Sequence, residues 1–453
     1  MDPVSISAIA SWVGGGLERG NSAAKATRVS TDSRALAPGS LFVALRGEKF
    51  DGHSFIRQAA QSGAVGAMVE EAPEDLPADF AVIRVKDSLA ALQSLAAAYR
   101  RTLRARVVNI TGSNGKTSTK DFTAAVLGRG GRVAKTEGNL NNHIGLPLTI
   151  LRASSADDYG VFEIGMNHPG EIAPLAAISD PDAAIITNIG VAHIEFMGSQ
   201  EAIAREKGML AEAVGAEGFV VLPSNDPFTD SLAARTRARV IRAGIDHGDV
   251  FATGVTPEGE GSRFTVHARG ESIEGRLAVP GPHMVRNAML AVAAGLEFGV
   301  PLAECVAGLA GAKLTKGRLE RKSVRGIHVL DDSYNANPDS MVAALETLAQ
   351  MPGRRIAVLG QMNELGAESE RGHRRVGEAA ARGNIDSVIT VGPIAAGIAA
   401  AAREHGVKHT LTPDTTAEAA AILRSMARNG DTVLIKGSRS VKMETIVEEL
   451  ARP

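Results

Sequence analysis

Short β-branched runs alternate with Ala- and Leu-rich stretches along most of this chain. "RVVNITG", "GVFEIG", "DAAIITNIG" and "GFVVLP" each give way to loop residues and then to helix formers. Buried strands that alternate with helices pair in parallel and take the helices on both faces, so an α/β fold is expected. At 453 residues the chain is too long for one core, and about three domains are expected. The front stretch, "STDSRALAPGSLFVALRGEKFDGHSF", is loop-rich with short strands, and a helix over 88–104 leads from it into "RVVNITG". A second break falls at "GAKLTKGRLERKSVRG" (311–326), where charge rises and hydrophobic periodicity stops. Beyond it "GIHVLDDSYN", "RRIAVLGQMN", "DSVITVG" and "DTVLIKGSRS" repeat a strand-then-loop unit of a smaller open α/β domain. The expected divisions are 1–86, 87–314 and 315–453, with hinges near Lys86 and Gly317.

The totals exclude several classes. A hydrophobic share of 44% against 22% charged residues fits a globular protein rather than a disordered one. The formal net charge of -2 gives no electrostatic reason to expect nucleic acid or an anionic membrane as partner. Cys305 is the only cysteine, which excludes an internal disulfide and a cysteine-rich metal site. No apolar run approaches the ~18 residues of a membrane span, and the first basic residue is Arg19. A cytoplasmic location is therefore expected.

"NITGSNGKTSTKDFT" carries the chemistry. Gly112, Gly115, Lys116 and Thr117 sit between an expected strand and an expected helix, the context of a phosphate-binding loop. Glycines let backbone N–H groups converge on an anion, and the helix N-terminus adds partial positive charge. Lys116 would meet the outer phosphates and the Thr117 hydroxyl would hold Mg²⁺. The usual spacing asks for a glycine where Ile110 stands, so the motif alone also admits a plain strand-to-helix turn.

"TGSNGKTSTK" resembles the ATP loop of the Mur ligase family, which uses the shorter glycine spacing. "GNLNNHIGLPLTIL", "FEIGMNHPGEI", "ITNIGVAHIEFMGS", "PGPHMVRNAMLAVAA", "GRLE", "DDSYNANPDSM" and "KGSRSVKME" follow in the family's order and span nearly the whole chain. The resemblance implies a three-domain architecture: an N-terminal UDP-binding α/β domain, a central parallel-sheet ATPase domain and a C-terminal Rossmann-like domain. "DDSYNANPDSM", "VLGQMNELGAESERGH" and "KGSRS" are nearest the branch that joins D-alanyl-D-alanine to UDP-N-acetylmuramoyl-tripeptide. In this family the carboxylate attacks the ATP γ-phosphate, and an amine displaces the resulting acyl phosphate. An α-amine titrates at ~7.7–8.0, so cations and positioning matter more than a general base. The implied reactants are ATP, Mg²⁺ (two ions), the UDP-linked tripeptide and D-alanyl-D-alanine. The implied working form is a monomer.

The resemblance also assigns residues. Thr111, Gly112, Ser113, Asn114, Gly115, Lys116, Thr117 and Ser118 form the ATP loop. Glu163 and His193 become Mg²⁺ ligands, although alone they read as a strand-end glutamate and a loop histidine. Asn188 shapes the same loop. Lys207 alone reads as a solvated lysine on a charged helix face, with Glu201 and Arg205 paired beside it. The family implies instead a carbamylated lysine that faces metal or substrate. His283 and Asn287 share one helical face, and Asn287 is expected to contact the nucleotide base. Arg318 reaches ATP from the junction. Asp332 and Asn335, beside Tyr334, face ATP from the third domain, and Asn337 is expected to be a helix N-cap. Asp32, Ser33, Arg34, Gly47, Asp51, Gly52 and His53, which alone mean turns, are expected around the uridine and diphosphate. Asn139, Asn141 and Asn142, with Lys436, Ser438 and Arg439, complete the substrate set. "LPSNDP" (222–227) departs from the family's Asn-x-Asp run, and no role falls to Asn225 or Asp226.

Two other functions compete. A folylpolyglutamate synthase resembles the central and last domains, but the "TDSR…DGH" front has no counterpart there. A silent nucleotide-binding protein is opposed by the joint presence of Lys116, Thr117, Glu163, His193 and Lys207.

Overall fold

The computed structural model describes residues 1–47 and 50–452. Among them the largest sheet has nine strands, in the order Val133–Lys135, Tyr159–Glu163, Arg106–Thr111, Ala183–Ile186, Phe219–Pro223, Arg239–Ile245, Val250–Glu258, Gly261–Ala268, Glu271–Leu277. The first seven run parallel, and the last two fold back as antiparallel hairpins. The strand Arg106–Thr111 lies between Tyr159–Glu163 and Ala183–Ile186, so chain order reverses there. An open parallel sheet presents its binding crevice at such a reversal, beyond the carboxyl ends of the strands. Register puts Glu163 opposite Ile110 and Ile186 opposite Thr111, which brings three strand ends to one edge.

A five-stranded sheet forms the front of the chain: Gly16–Arg19, Ala81–Arg84, Gly66–Val69, Ser40–Val43 and Arg28–Ser30, parallel except for the first. A six-stranded sheet forms the end: Glu320–Val324, Ile327–Asp332, Thr432–Lys436, Arg355–Gly360, Ser387–Val391 and His409–Leu411. Its first strand alone is antiparallel. The break expected over 311–326 is therefore only partly loop. Glu320–Val324 pairs with Ile327–Asp332 through a tight turn at Arg325 and Gly326, both at positive φ. Charge here marks an edge strand, as edges resist mispairing by carrying charge, and Lys322 reaches Asp331 across the hairpin at 2.6 Å.

The connecting helix is Ser88–Arg100, four residues shorter than expected. Asp87 starts it by accepting from the N–H groups of Leu89 (2.8 Å) and Ala90 (2.9 Å). It stops where the Thr102 hydroxyl takes the Tyr99 carbonyl at 2.7 Å and the chain turns into the strand at Arg106. Leu92, Leu95 and Tyr99 are buried in one apolar interior that takes Ile9, Leu41 and Ile83 from the front and Val107, Ile150 and Ile186 from the centre. The Tyr99 hydroxyl ties both sides, accepting from Asp2 N–H at 2.8 Å and donating to Ala153 C=O at 2.9 Å. Among the described residues no helix is long and apolar enough to cross a membrane.

Candidate active site

The phosphate loop is built from its glycines outward. Gly112 has φ +148° and a Cβ there would overlap the Thr187 hydroxyl, while Gly115 has φ +78° and a Cβ would meet Asn287 Oδ1 at 2.6 Å. Only glycine fits either place. Gly115 opens the helix Lys116–Leu127, whose first-turn N–H groups have no helical acceptor and face outward. The neighbouring strand end fixes the loop from behind: Ser113 N–H donates to Asn188 C=O (3.0 Å) and Asn114 N–H to Asn188 Oδ1 (2.9 Å). Asn188, expected only to shape the loop of His193, thus also braces the phosphate loop.

At the rim, Thr117 Oγ1 donates to the Glu163 carboxylate at 3.0 Å, and Asn141 Nδ2 donates to the other carboxylate oxygen at 2.8 Å. Glu163 is 3% exposed, and its own N–H is held by Thr136 Oγ1 at 2.9 Å. A hydroxyl beside a buried carboxylate is an all-oxygen donor set that suits Mg²⁺, which takes one or two carboxylates and leaves further positions to phosphates and water. No cluster of three acidic, histidine or cysteine side chains capable of holding a metal occurs among the described residues. Lys116 Nζ donates to Gly112 C=O at 2.9 Å, and burial lowers its pKa while Glu163 opposes the shift.

Arg318 enters from the third sheet's side. Its Nη2 lies 3.3 Å from Thr117 Oγ1, and its guanidinium stacks over Tyr334 at 4.2 Å. Asp332 supports it, accepting from Leu319 N–H at 3.2 Å and from Lys436 Nζ at 2.6 Å. Burial lowers the Lys436 pKa and Asp332 opposes that shift. With Asn335 C=O also 2.9 Å away, the Lys436 ammonium is committed to holding Asp332 and its loop. Asn337 caps the helix Pro338–Ala349 through Ser340 N–H, within a reciprocal capping box. Its amide also donates to Asn114 Oδ1 at 2.7 Å, so the cap reaches the phosphate loop.

These groups line a cleft of about 1100 Å³. Of the expected residues, Ser113 to Ser118, Asn139, Asn141, Asn142, Glu163, Asn188, His193, His283, Asn287, Arg318, Asp332, Asn335, Lys436, Ser438 and Arg439 reach its wall. Thr111, Gly112 and Lys207 do not line it, nor do Asp32, Ser33, Arg34, Gly47, Asp51, Gly52 and His53. The latter form two aspartate-capped turns on the front sheet. Asp32 accepts from Arg34 N–H and from its guanidinium, which pulls its pKa down to about 2. Asp51 accepts from His53 N–H at 2.9 Å and faces His53 Nδ1 at 2.6 Å, and His53 Nε2 accepts from Glu70 N–H.

Lys207 corrects the solvated-helix reading. It is 1% exposed on the helix Gln200–Glu212. Burial first, then Lys116, drive its pKa well down, while Glu206 opposes the shift. Its neighbour Glu206 is also buried and accepts from Gly170 and Ile172 N–H groups, at 2.9 and 2.8 Å. His193, at φ +63°, faces Glu364 of the third sheet's loop, Nδ1 to Oε2 at 2.6 Å. That contact, Asp121, Asp339 and the Glu206 bracket went unassigned from sequence. "MNELG" and "NPDSM" each present one acidic residue among many, and only tertiary placement separates them.

Comparison with known proteins follows the same three parts. Residues 110–295 match the Mur ligase middle domain, 317–439 the Mur ligase glutamate ligase domain, and 25–100 the Mur ligase family catalytic domain. The chain is similar to UDP-N-acetylmuramoyl-tripeptide–D-alanyl-D-alanine ligase of Bacillus subtilis, 40% identical over 430 residues, covering 93% of this chain and 92% of the relative. The Escherichia coli enzyme of that name is 40% identical over 426 residues, with 93% of each chain covered. Among solved structures, MurF from Acinetobacter baumannii superposes with TM-score 0.91 at 34% identity, covering 100% of this chain and 99% of the other. MurF ligase from Thermotoga maritima in complex with ADP gives 0.83 at 28% identity, covering 94% and 97%.

Proposed function

Because the chain belongs to the Mur ligase family of ATP-dependent ligases, we propose that it joins D-alanyl-D-alanine to UDP-N-acetylmuramoyl-tripeptide in peptidoglycan precursor synthesis. The observation that carries this reading within the structure is the convergence on Thr117 Oγ1. A phosphate loop, a buried carboxylate and a junction arginine all meet there.

The residues take roles that follow from their placement. Lys116 and the N–H groups of 115–118 grip the triphosphate, with Ser113, Asn114 and Ser118 closing the cradle behind Thr111 and Gly112. Thr117 and Glu163 would hold Mg²⁺, which would supply neutralisation of phosphate charge, and His193 would serve a second ion. Arg318 lowers the cost of the charge that accumulates on the transferring phosphoryl group. The tripeptide carboxylate takes that group as an acyl phosphate, and the dipeptide amine displaces phosphate. Asn287, packed on Gly115, faces the nucleotide base, and Asp332 and Asn335 close on ATP from the third sheet. Lys207 is carbamylated: its buried amine adds to CO₂ through a new N–C bond and gives up a proton to solvent, and the carbamate is an anion for the metal or substrate side. The turns of Asp32 to Arg34 and Asp51 to His53, with Gly47, hold the uridine diphosphate. Asn139, Asn141 and Asn142 face the peptide, and Ser438 and Arg439 the dipeptide carboxylate. Lys436 acts here through Asp332. The protein works as a cytoplasmic monomer, and its net charge of -2 gives no electrostatic reason for a nucleic-acid partner.

The test is phosphate release from ATP. It should require both the UDP-tripeptide and D-alanyl-D-alanine and yield a product of their joined mass. Labelled oxygen should pass from the tripeptide carboxylate to inorganic phosphate. Release independent of both substrates would sink the proposal. A carbamate signal from ¹³CO₂-treated protein, absent in Lys207→Ala, tests the lysine.

A further inference from the structure

Three consecutive backbone N–H groups behind the phosphate loop are each taken by a side chain from a different part of the chain. Ile189 N–H donates to Asp226 Oδ2 at 2.8 Å, Gly190 N–H to Ser113 Oγ at 2.8 Å, and Val191 N–H to Asp339 Oδ2 at 3.2 Å. Asp226 stands in the loop after the central-sheet strand Phe219–Pro223, and Ser113 in the phosphate loop. Asp339 stands in the first turn of the helix Pro338–Ala349, on the third sheet's side. Its other oxygen is fixed by Arg375 at 2.7 Å.

Gly190 sets the fit. A Cβ there would overlap Asp339 Oδ2, and its next neighbour, Asn114 Nδ2, would be 3.4 Å away in ordinary contact. Gly190 is not among the glycines at positive φ, so its backbone tolerates an L side chain. The lack of a side chain is required only by the approach of Asp339. Two residues earlier in the third unit's chain, Asn337 bonds Asn114 across the same seam.

We propose that Asp339 is a positioning residue that clasps the third domain onto residues 189–191, and that Gly190 is kept bare to admit it. Ser113 ties the clasped segment to the phosphate loop, so the loop's state sets whether the Val191 N–H is presented. The clasp seats Arg318, Asp332 and Asn335 over the triphosphate. It rests on the ligase reading for its activity measurement only.

The experiment is a double-mutant cycle on the full-length protein with Gly190→Ala, Asp339→Ala and both together, and with Asp339→Asn as the conservative variant. Ligation rate, KM for ATP, melting temperature and scattering radius with an imido analogue of ATP plus UDP-tripeptide are read for each. Gly190→Ala is expected to melt like the wild type and to lose at least about tenfold in kcat. It should also fail to compact with the analogue. Asp339→Ala should lose about three- to tenfold, and Asp339→Asn, which still accepts from Val191, less than about threefold. The double variant should match Asp339→Ala, because no carboxylate remains to clash. Multiplied losses, or equal radii in wild type and Gly190→Ala, overturn the clasp. A wild type that compacts but does not ligate sinks the ligase reading and leaves the radii to decide the clasp.

Discussion

Asp121 Oδ2 accepts two hydrogen bonds from Thr315, one from its N–H and one from its Oγ1, both at 2.8 Å. Asp121 is 3% exposed on the phosphate-loop helix, and its other oxygen meets Lys120 at 3.3 Å and Lys135 at 3.1 Å. The junction that carries Gly317 and Arg318 is thus anchored to the helix that carries Lys116 and Thr117. Removing a buried, paired carboxylate leaves Lys120 unpaired, so Asp121→Ala should cost about 3 kcal/mol. Thr315→Val keeps the N–H bond and should cost about 1 kcal/mol. Urea unfolding midpoints check both, and equal small losses would contradict the anchor.

Chelation should abolish activity, and added Mg²⁺ should restore it. Glu163→Gln keeps one accepting oxygen, turns the other into a donor and removes the charge that would hold a hard cation. The Mg²⁺ concentration for half-maximal rate should rise about tenfold and kcat/KM fall about a hundredfold. A magnesium titration of both proteins measures this.

Gly115→Ala meets two obstacles at once. A non-glycine residue in the left-handed region costs about 1–2 kcal/mol, and the new methyl would press on Asn287. ATP binding, measured by calorimetry, should weaken at least about tenfold. An unchanged dissociation constant would show that the loop relaxes around the methyl.

Cys305 should resist alkylation. Burial disfavours the charged thiolate and pushes the thiol pKa up to about 12. At pH 8 only roughly one thiol in ten thousand is then ionised, against about a quarter for a free cysteine. Iodoacetamide should label the native protein very slowly and the unfolded protein quickly. Within the native state the rate should rise about tenfold per pH unit until pH nears 12.

The parallel sheet, the loop glycines and the Asn337 cap were legible because each rests on local signals: period, turn residues, and a capping side chain before proline. The same locality explains the misses. The run 320–324 reads as linker because its burial pattern is that of a charged edge, and Lys207 reads as solvated because its neighbours Glu201, Arg205 and Glu206 are charged. Only the packing of the helix Gln200–Glu212 against the central sheet turns Lys207 inward. Asp121, Asp339 and Glu364 act on partners 148 or more residues distant, and no sequence window contains both ends.

Leu92, Leu95 and Tyr99 belong to two neighbours at once, packed between the front sheet and the central one. A graft that exchanged residues 1–86 for those of a relative would set a foreign surface on a wall shaped for Ile9, Leu41 and Ile83. The front sheet is therefore no detachable cassette. It can change only together with the helix it is mounted on.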